Sequence, residues 1–392
     1  MKAIMEKNAQ EVFLMKSFRP VRTAVIGCGM ISRRYLDNCV NRFNVLDVVG
    51  CSDLIPERSA QRAQEFGIRQ MTNEEILSDP SIELVINLTY PTAHYEVTKA
   101  ALHAGKHVHT EKMMATTFAQ AKELYELARA NGLYLTAAPD TFLGARLQTA
   151  RQLLDSGLIG RPLAASVSLS RCYRHSEWKA EDEKRFAFCP GGGILNDVGC
   201  YYLTGLVSLL GSIERVCGFS QTYEPARPFL NPKNPSYGQP MTYEDCPNNY
   251  AGALQFENGV LCGLTVTSET YGGGSSFMLY GTQGTMWLDD PNEFGGALLV
   301  ELKGSREKVA FPLTHAFETD FRGLGAADLA YALRNGRAPR CLPEMALHTF
   351  EAACGIVQSG EENRMYRMTT RCERPAPFEP GHTEYPEAVM DL

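Results

Sequence analysis

The sequence predicts a doubly wound α/β domain followed by an α+β domain with a large, mostly antiparallel open sheet. Three observations predict it. Between residues 21 and 140, short apolar runs alternate with stretches of helical period, the pattern of parallel strands joined by helices. From Ile213 onward strands follow strands, and one pair flanks Glu257-Asn258-Gly259, a hairpin signal. The 392 residues suffice for two or three domains, and 44% hydrophobic with 21% charged residues is an ordinary globular balance.

The first strand is Arg22 to Ile26, and Gly27, Cys28 and Gly29 follow it at once. Met30, Ile31, Tyr35 and Leu36 then recur at helix spacing. A strand, a glycine turn and a helix form the context in which a dinucleotide pyrophosphate sits on a helix N-terminus. Gly27 allows the tight turn and Gly29 lets the backbone approach the phosphates; Ser32 stands where a third glycine is usual, at a position that wants a small residue. The first domain therefore reads as a Rossmann dinucleotide-binding domain, with Gly27, Gly29, Met30 and Ile31 at the cofactor.

Val45 to Cys51 is a continuous apolar run, as expected of a strand buried on both faces, and it leads to Asp53. An acidic group about 20 residues past the glycine turn is placed to bind a ribose 2′-hydroxyl, which favours NAD over NADP. The competing reading is that Asp53 only caps the helix starting near Pro56. A helix over Pro56 to Phe66, a short capped helix over Asn73 to Leu77 and a strand over Glu83 to Leu88 come next. Thr89, Tyr90 and Pro91 end that strand, and a helix over Ala93 to Ala104 stops at Gly105. His107 to Thr110 is a strand ending at Glu111 and Lys112. A helix over Ala119 to Ala130 and a strand over Tyr134 to Ala138 complete the domain. The glycine turn, Asp53, Thr89 to Pro91, and Glu111 with Lys112 all fall at the carboxyl ends of parallel strands, the edge that carries the ligand crevice. His94, His103, His107 and His109 are in this half; the last three read as surface or packed histidines, and no metal site is expected.

Asp140 to Ser156 reads as one helix and Leu163 to Tyr173 as an alternating strand. A charged irregular segment containing His175 follows. After Gly191-Gly192-Gly193, Ile194 to Gly211 reads as an apolar helix with one charged residue, Asp197, a turn before Tyr201. A lone carboxylate there either anchors backbone or faces a cleft. Strands over Ile213 to Tyr223, Tyr250 to Phe256, Val260 to Ser268, Ser275 to Tyr280, Gly284 to Leu288 and Ala297 to Leu302 form the second sheet. Residues 225 to 247 read as a loop with six prolines. Helices near Gly325 to Arg334 and Glu344 to Ser359 return toward the core, the second packing on the first domain.

The net charge is −7 with no basic block, which argues against nucleic acid or an anionic membrane as partner. No apolar run approaches the ~18 residues of a spanning helix. The first twenty residues carry Lys2, Glu6, Lys7 and Glu11 and read as an N-terminal arm without a signal peptide. Twelve scattered cysteines without a Cys-x-x-Cys pair fit a reduced, cytoplasmic protein. Expected boundaries are an arm at 1–20, the NAD-binding domain at 21–140, a substrate and oligomerisation domain at 141–372, and a tail at 373–392.

Five stretches carry a family likeness: GCGMIS from Gly27, NLTYPTAHYEVTKAALHAGKHVHTEK from Asn87, APDTFLG from Ala138, GGGILNDVGCYYL from Gly191 and RGLGAADLAYALRNGRAPR from Arg322. On these the chain resembles the Gfo/Idh/MocA oxidoreductases, in the subgroup similar to glucose-fructose oxidoreductase, from about Arg22 to Met368. The resemblance implies a nicotinamide-dependent dehydrogenase of a sugar, polyol or glycoside, and a homo-oligomer, dimer or tetramer. It implies cofactor contacts from Gly27, Gly29, Met30, Ile31, Asp53, Thr89, Pro91, His94, Glu111 and Lys112. It implies substrate contacts and catalytic roles for Lys112, Asp197 and Tyr201; Asp140 and His175 are secondary substrate-binding candidates near the expected cleft, with a loop or cap residue as the competing reading of each. Two departures stand out. Met113 occupies the proline of the Glu-Lys-Pro motif, and Tyr201 the position of the family's histidine. A free phenol titrates near ~10 against ~6.5 for imidazole, so Tyr201 needs a nearby cation, a field that Lys112 is placed to supply. Two other functions share this site: a glycosidase or lyase that oxidises its substrate transiently, and a non-catalytic NAD-binding sensor.

Overall fold

The computed structural model describes residues 19–173, 188–242 and 246–380. The expected N-terminal arm, His175 with its charged segment, and the end of the tail lie outside the described residues.

The first domain is a six-stranded parallel sheet. Strands β1 (Val21–Ile26), β2 (Leu46–Ser52), β3 (Arg69–Gln70), β4 (Leu84–Asn87), β5 (His107–Thr110) and β6 (Leu135–Ala137) lie in the order β3-β2-β1-β4-β5-β6. Every pairing is parallel. The connecting helices are α1 (Ser32–Asn41), α2 (Pro56–Phe66), α3 (Asn73–Ser78), α4 (Pro91–His103) and α5 (Phe118–Ala130). All four residues of β4 are buried, as befits a strand covered on both faces. α3 starts on a capping box: Thr72 accepts from the Glu75 amide while the Glu75 carboxylate accepts from the Thr72 amide. Strand order reverses at β1, between β2 and β4, which sets the crevice of such a sheet at the ends of β1 and β4.

The helix expected over Asp140–Ser156 is divided. A 3₁₀ turn covers Thr141–Leu143, and α6 runs over Ala145–Asp155. Gly144 between them is extended, and a Cβ on it would lie 2.6 Å from the Phe294 backbone. The close approach of a distant loop, not helix propensity, fixes the chain there. The helix expected from Ile194 likewise opens with a π-helical turn over Leu195–Gly199 before α7 (Cys200–Leu210).

The second sheet holds nine strands. β7 (Pro162–Cys172), β8 (Ile213–Gln221), β11 (Asn249–Phe256), β12 (Leu261–Thr267), β13 (Glu269–Gly281), β14 (Gly284–Leu288), β15 (Leu298–Leu302), β16 (Val309–Ala310) and β17 (Tyr366–Arg367) run in the order β16-β15-β14-β13-β7-β12-β11-β8-β17. All neighbours are antiparallel except β12 and β7. The stretch 225–247, read as a loop, contains a two-stranded ribbon of β9 (Ala226–Pro228) and β10 (Pro240–Thr242). Its prolines hide it from local pattern, because the pairing joins ends that are far apart in sequence.

Two late helices bind the halves together. α8 (Leu324–Asn335) packs on β5 and β6. α9 (Pro343–Glu362) packs on β8 of the second sheet and on α5, α7 and β6. The crevice of the first sheet therefore faces α7, with both sides held by a common apolar core.

Candidate active site

The glycine turn is built around Gly27. Its φ is +103°, and a Cβ would lie 2.5 Å from the Leu88 carbonyl carbon and the Thr89 nitrogen, so only glycine fits. Gly29 is the opposite case: a Cβ there meets nothing within 4 Å. Ser32 serves in place of the third glycine. It is fully buried, and its hydroxyl donates to the Gly29 carbonyl at 2.6 Å.

Asp53 does two things at once. Its Oδ2 accepts from the Cys28 amide at 2.6 Å and its Oδ1 from the Ile55 amide at 2.8 Å. It thus ties the glycine turn to the end of β2 and also turns the chain into α2. It does not cap the helix itself, which starts from Ile55 without a side-chain cap.

Thr89 and Pro91 line the end of β4, where the Thr89 hydroxyl donates to Asn87 at 2.7 Å and Pro91 opens α4. His94 is buried beneath them. Its Nδ1 lies 2.6 Å from the Met113 carbonyl oxygen and its Nε2 2.9 Å from that of Thr89. It fastens the loop after β4 to the loop after β5, so its influence on a ligand passes through those two backbones.

Glu111 points inward. Its carboxylate accepts from the buried Tyr35 hydroxyl at 2.7 Å and from the Lys112 amide at 3.0 Å. The next peptide bond, Lys112–Met113, is cis. The Lys112 side chain crosses to the second domain: Nζ donates to Asp197 Oδ1 at 2.8 Å and to the Asp197 carbonyl. Asp197 Oδ2 accepts from the Tyr173 hydroxyl at the end of β7. Burial opposes the charge on Lys112, but Asp197 and then Tyr201 favour it, and the balance holds Lys112 above the usual lysine range.

Tyr201 sits one turn past Asp197, only 7% exposed, with Lys112 Nζ 5.7 Å from its ring centroid. Burial pushes its phenol up, against the lowering fields of Lys112 and Arg322, so the phenol is neutral at pH 7. The Arg322 guanidinium is held by Asp320 Oδ1 at 3.0 Å and Asn292 Oδ1 at 2.8 Å. Tyr202 points the other way and donates to Asp290 at 3.0 Å inside the second domain.

Asp140 does not join this group. It is 1% exposed, and its Oδ2 accepts from the amides of Gly323 and Gly325 at 2.9 and 3.0 Å, fixing the start of α8. Burial pushes its carboxyl up to about 6. His107 and His109 are structural as well: the His107 ring accepts from the Tyr134 amide, and His109, buried, meets the Thr136 hydroxyl at 2.9 Å.

The structure therefore brings Lys112, Asp197 and Tyr201 together, and it adds Tyr173 on Asp197 and Tyr35 on Glu111, which sequence reasoning gave no role. Tyr173 carried one signal, its position as the last residue of a strand.

A dinucleotide fits the opposite side of the same crevice. The Gly29 Cβ direction is open, no side chain caps α1, and no acid stands in its first turn. Met30 and Leu54 beside it are 95% and 99% exposed, an apolar rim that a bound ring system would cover.

Comparison with known proteins agrees with this architecture. Residues 21–138 match a family model described as "Oxidoreductase family, NAD-binding Rossmann fold". Residues 147–287 match that family's C-terminal domain model. An oxidoreductase of Schizosaccharomyces pombe is 31% identical over 204 residues, 50% of this chain and 53% of that protein. The chain thus spans about half the length of that relative and of a second from the same organism. The 1,5-anhydro-D-fructose reductase of Ensifer adhaerens is 28% identical over 269 residues, 68% of this chain and 74% of that protein. Among solved structures, a levoglucosan dehydrogenase in complex with NADH superposes with a TM-score of 0.77 at 18% identity, over 90% of this chain and 100% of that one. At that identity the likeness speaks for the fold.

Proposed function

Because this chain belongs to the Gfo/Idh/MocA oxidoreductase family, we propose that it is an NAD-dependent dehydrogenase interconverting a ring hydroxyl of a sugar, polyol or glycoside and its ketone. The observation that carries this reading is the meeting of Lys112, Asp197 and Tyr201 across the crevice from the glycine turn. Two relatives named for anhydrofructose and levoglucosan support a carbohydrate substrate.

In this reading Gly27 to Ile31, Asp53 and the end of β4 hold the cofactor. The nicotinamide, when bound, supplies the hydride acceptor or donor. The protein's own residues handle the oxygen and its proton. Two of the three Lys112 donors are engaged by Asp197, and the third hydrogen-bonds the reacting substrate oxygen. Lys112 stays charged at every working pH, so it acts as a fixed field and not as a base. Tyr201 carries the proton. As a neutral phenol it donates to a ketone oxygen in reduction; as a phenolate it accepts from the hydroxyl in oxidation. Asp197 holds Lys112 in line, and Tyr173 holds Asp197. Residues 21–140 serve the cofactor and 141–372 the substrate and self-association, supported by Leu261 and Phe219 exposed on the second sheet. Twelve free thiols fit a reducing, cytoplasmic setting.

The test is NADH absorbance against a panel of sugars and glycosides, run with the wild type and Tyr201→Phe. Turnover with net NADH change, lost by about 10²–10⁴-fold in the variant while NAD affinity holds, is the expected result. Full turnover by Tyr201→Phe removes Tyr201 as the proton carrier. Consumption of a glycoside with no net NADH favours transient oxidation, and no turnover on any substrate favours a sensor.

A further inference from the structure

Ser32, in the place of the third glycine, does more than fit. Its hydroxyl accepts from Arg62 Nε on α2 at 3.1 Å and donates to the Gly29 carbonyl at 2.6 Å. An arginine donates and never accepts, so Arg62 leaves the serine proton to go to Gly29. The Ser32 amide reaches the same carbonyl at 3.3 Å. Two donors thus fix the direction of the Gly29 carbonyl. The Gly29–Met30 peptide is trans and planar, so its N–H points opposite to that carbonyl, away from the body of α1. Among the described residues no group accepts from the Met30 amide, and the Met30 side chain stands open to solvent.

The arginine is itself held. Arg62 Nη1 donates to Glu65 Oε2 at 2.7 Å, and Glu65 Oε1 accepts from Arg33 Nε on α1 at 2.6 Å. Arg62 and Glu65 lie one turn apart on α2, and Ser32 and Arg33 are consecutive on α1. Four residues therefore close a ring between the two helices, through the side chain that touches Gly29. Ion pairs as open as this, with Arg33 69% exposed, contribute little to stability. What the ring fixes is a direction.

We propose that Arg62 is a positioning residue for the dinucleotide pyrophosphate: it commits the Ser32 proton to the Gly29 carbonyl and so holds the Met30 N–H toward the phosphates. This rests on the reading that Gly27 to Ile31 hold the cofactor and deepens it; nothing in it depends on the hydride or proton chemistry. A serine hydroxyl without a fixed donor rotates to suit its surroundings. With Arg62 in place the peptide plane is set before the ligand arrives, and binding costs no reordering there. Asp53, in the loop before α2, already ties that loop to the Cys28 amide. Arg62 adds the second tie, from α2 itself, so the glycine turn is held on both sides by one stretch of chain. A guanidinium acting on the phosphates only through space needs no serine, and that difference is measurable.

The experiment is titration calorimetry on full-length wild type, Arg62→Met, Ser32→Ala and the double variant, with Arg62→Lys as the conservative change and Gly29→Val as the control for the site. The ligands are NAD and ADP, which keeps the pyrophosphate without the nicotinamide. Thermal midpoints are read on every variant. Arg62→Met and Ser32→Ala are each expected to weaken both ligands about fivefold with the midpoint little changed, the effect of losing one hydrogen bond that orders the site. The double variant is expected to lose no more than either single variant, because the two residues act as one unit. Arg62→Lys is expected to recover part of the affinity. The losses are expected to persist between about 0.1 and 0.5 M salt, a range over which the field of a solvent-facing charge is screened. If Ser32→Ala does not fold, the salt series on Arg62→Met carries the same comparison. Losses that multiply in the double variant, or that vanish at high salt, mean a through-space charge and overturn the proposal. Undiminished affinity in Arg62→Met while Gly29→Val is weakened overturns it alone. Full NAD affinity in Gly29→Val removes the cofactor from this turn and fails the underlying reading as well.

Discussion

Lys112 and Asp197 lie 85 residues apart in the chain and in different domains, yet Lys112 Nζ donates to both Oδ1 and the main-chain carbonyl of Asp197. The side chains are 17% and 25% exposed. Each is therefore partly shielded, and Asp197 is the main reason Lys112 stays charged. Removing either partner leaves a half-buried charge without its counterpart. Lys112→Met is expected to lower kcat by about 10²–10³-fold, the effect of losing one preorganised donor at a developing charge. Asp197→Asn is expected to lose less, about tenfold, because the amide oxygen and the main-chain carbonyl still accept from Nζ. Steady-state kinetics on the two variants checks the order; a larger loss in Asp197→Asn would move the catalytic charge from Lys112 to Asp197.

The raised Tyr201 phenol sets the pH dependence of the two directions. Burial keeps the proton on at neutral pH. Reduction uses that protonated form, so its kcat is expected to be flat from about pH 6 to 9. Oxidation uses the phenolate, whose fraction grows tenfold per pH unit below the pKa, so its kcat is expected to climb by about that slope. Paired rate measurements on one alcohol and its ketone check this. A flat oxidation profile would mean another base.

Two glycines in the same turn separate fold from binding. At Gly27 a Cβ would collide with the Leu88 and Thr89 backbone at a positive φ. Gly27→Ala is expected to destabilise the protein by about 2–4 kcal/mol. At Gly29 a Cβ meets open space. Gly29→Val is expected to leave the thermal midpoint nearly unchanged while weakening NAD binding tenfold or more, because the added methyls occupy the pyrophosphate approach. Calorimetric unfolding and titration calorimetry read the two effects apart; equal loss of stability in both variants would refute the distinction.

Asp140 gives stability a pH dependence of its own. Its carboxyl titrates at about 6 in the folded protein, above the ~3.9 of an unfolded chain. Below about pH 4 it is protonated in both states and neutral in effect. Between 4 and 6 the folded state holds a proton that the unfolded state has released, so stability falls as pH rises. Above 6 the penalty is complete, about 2–3 kcal/mol. Asp140→Asn still accepts from Gly323 and Gly325 and removes the charge. Its stability relative to wild type is expected to grow from pH 4 to 6 and then level off, as read by urea unfolding across that range. His109 and His348, each held at about 4 by burial, act in the opposite sense in both proteins and cancel in the difference.

Much of the site was legible in the chain because its backbone is. Gly27 and Gly29 mark a turn that follows a β-branched run, and Asp53, Thr89, Glu111 and Lys112 each end a strand. Alternation of period then puts all of them on one edge without any knowledge of contacts. His94 and Asp140 show the limit of that reasoning. Both belong to the right edges, and both turn inward, His94 to the Thr89 and Met113 carbonyls and Asp140 to the Gly323 and Gly325 amides. Position along a strand or helix does not say which way a polar group faces once a distant backbone offers it partners.

The sequence by itself determined the parallel sheet, the glycine turn, the acidic residue after β2, and the helix that carries Asp197 and Tyr201, because each is a local pattern of period, turn and cap. The tertiary structure alone decided that Gly144 breaks a helix against Phe294, that Tyr173 steadies Asp197, and that Arg322 is held by Asn292, Asp320 and Asn38. Those contacts join residues that share no turn, helix face or strand pair. They exist only because the late helices α8 and α9 bury apolar surface against both sheets.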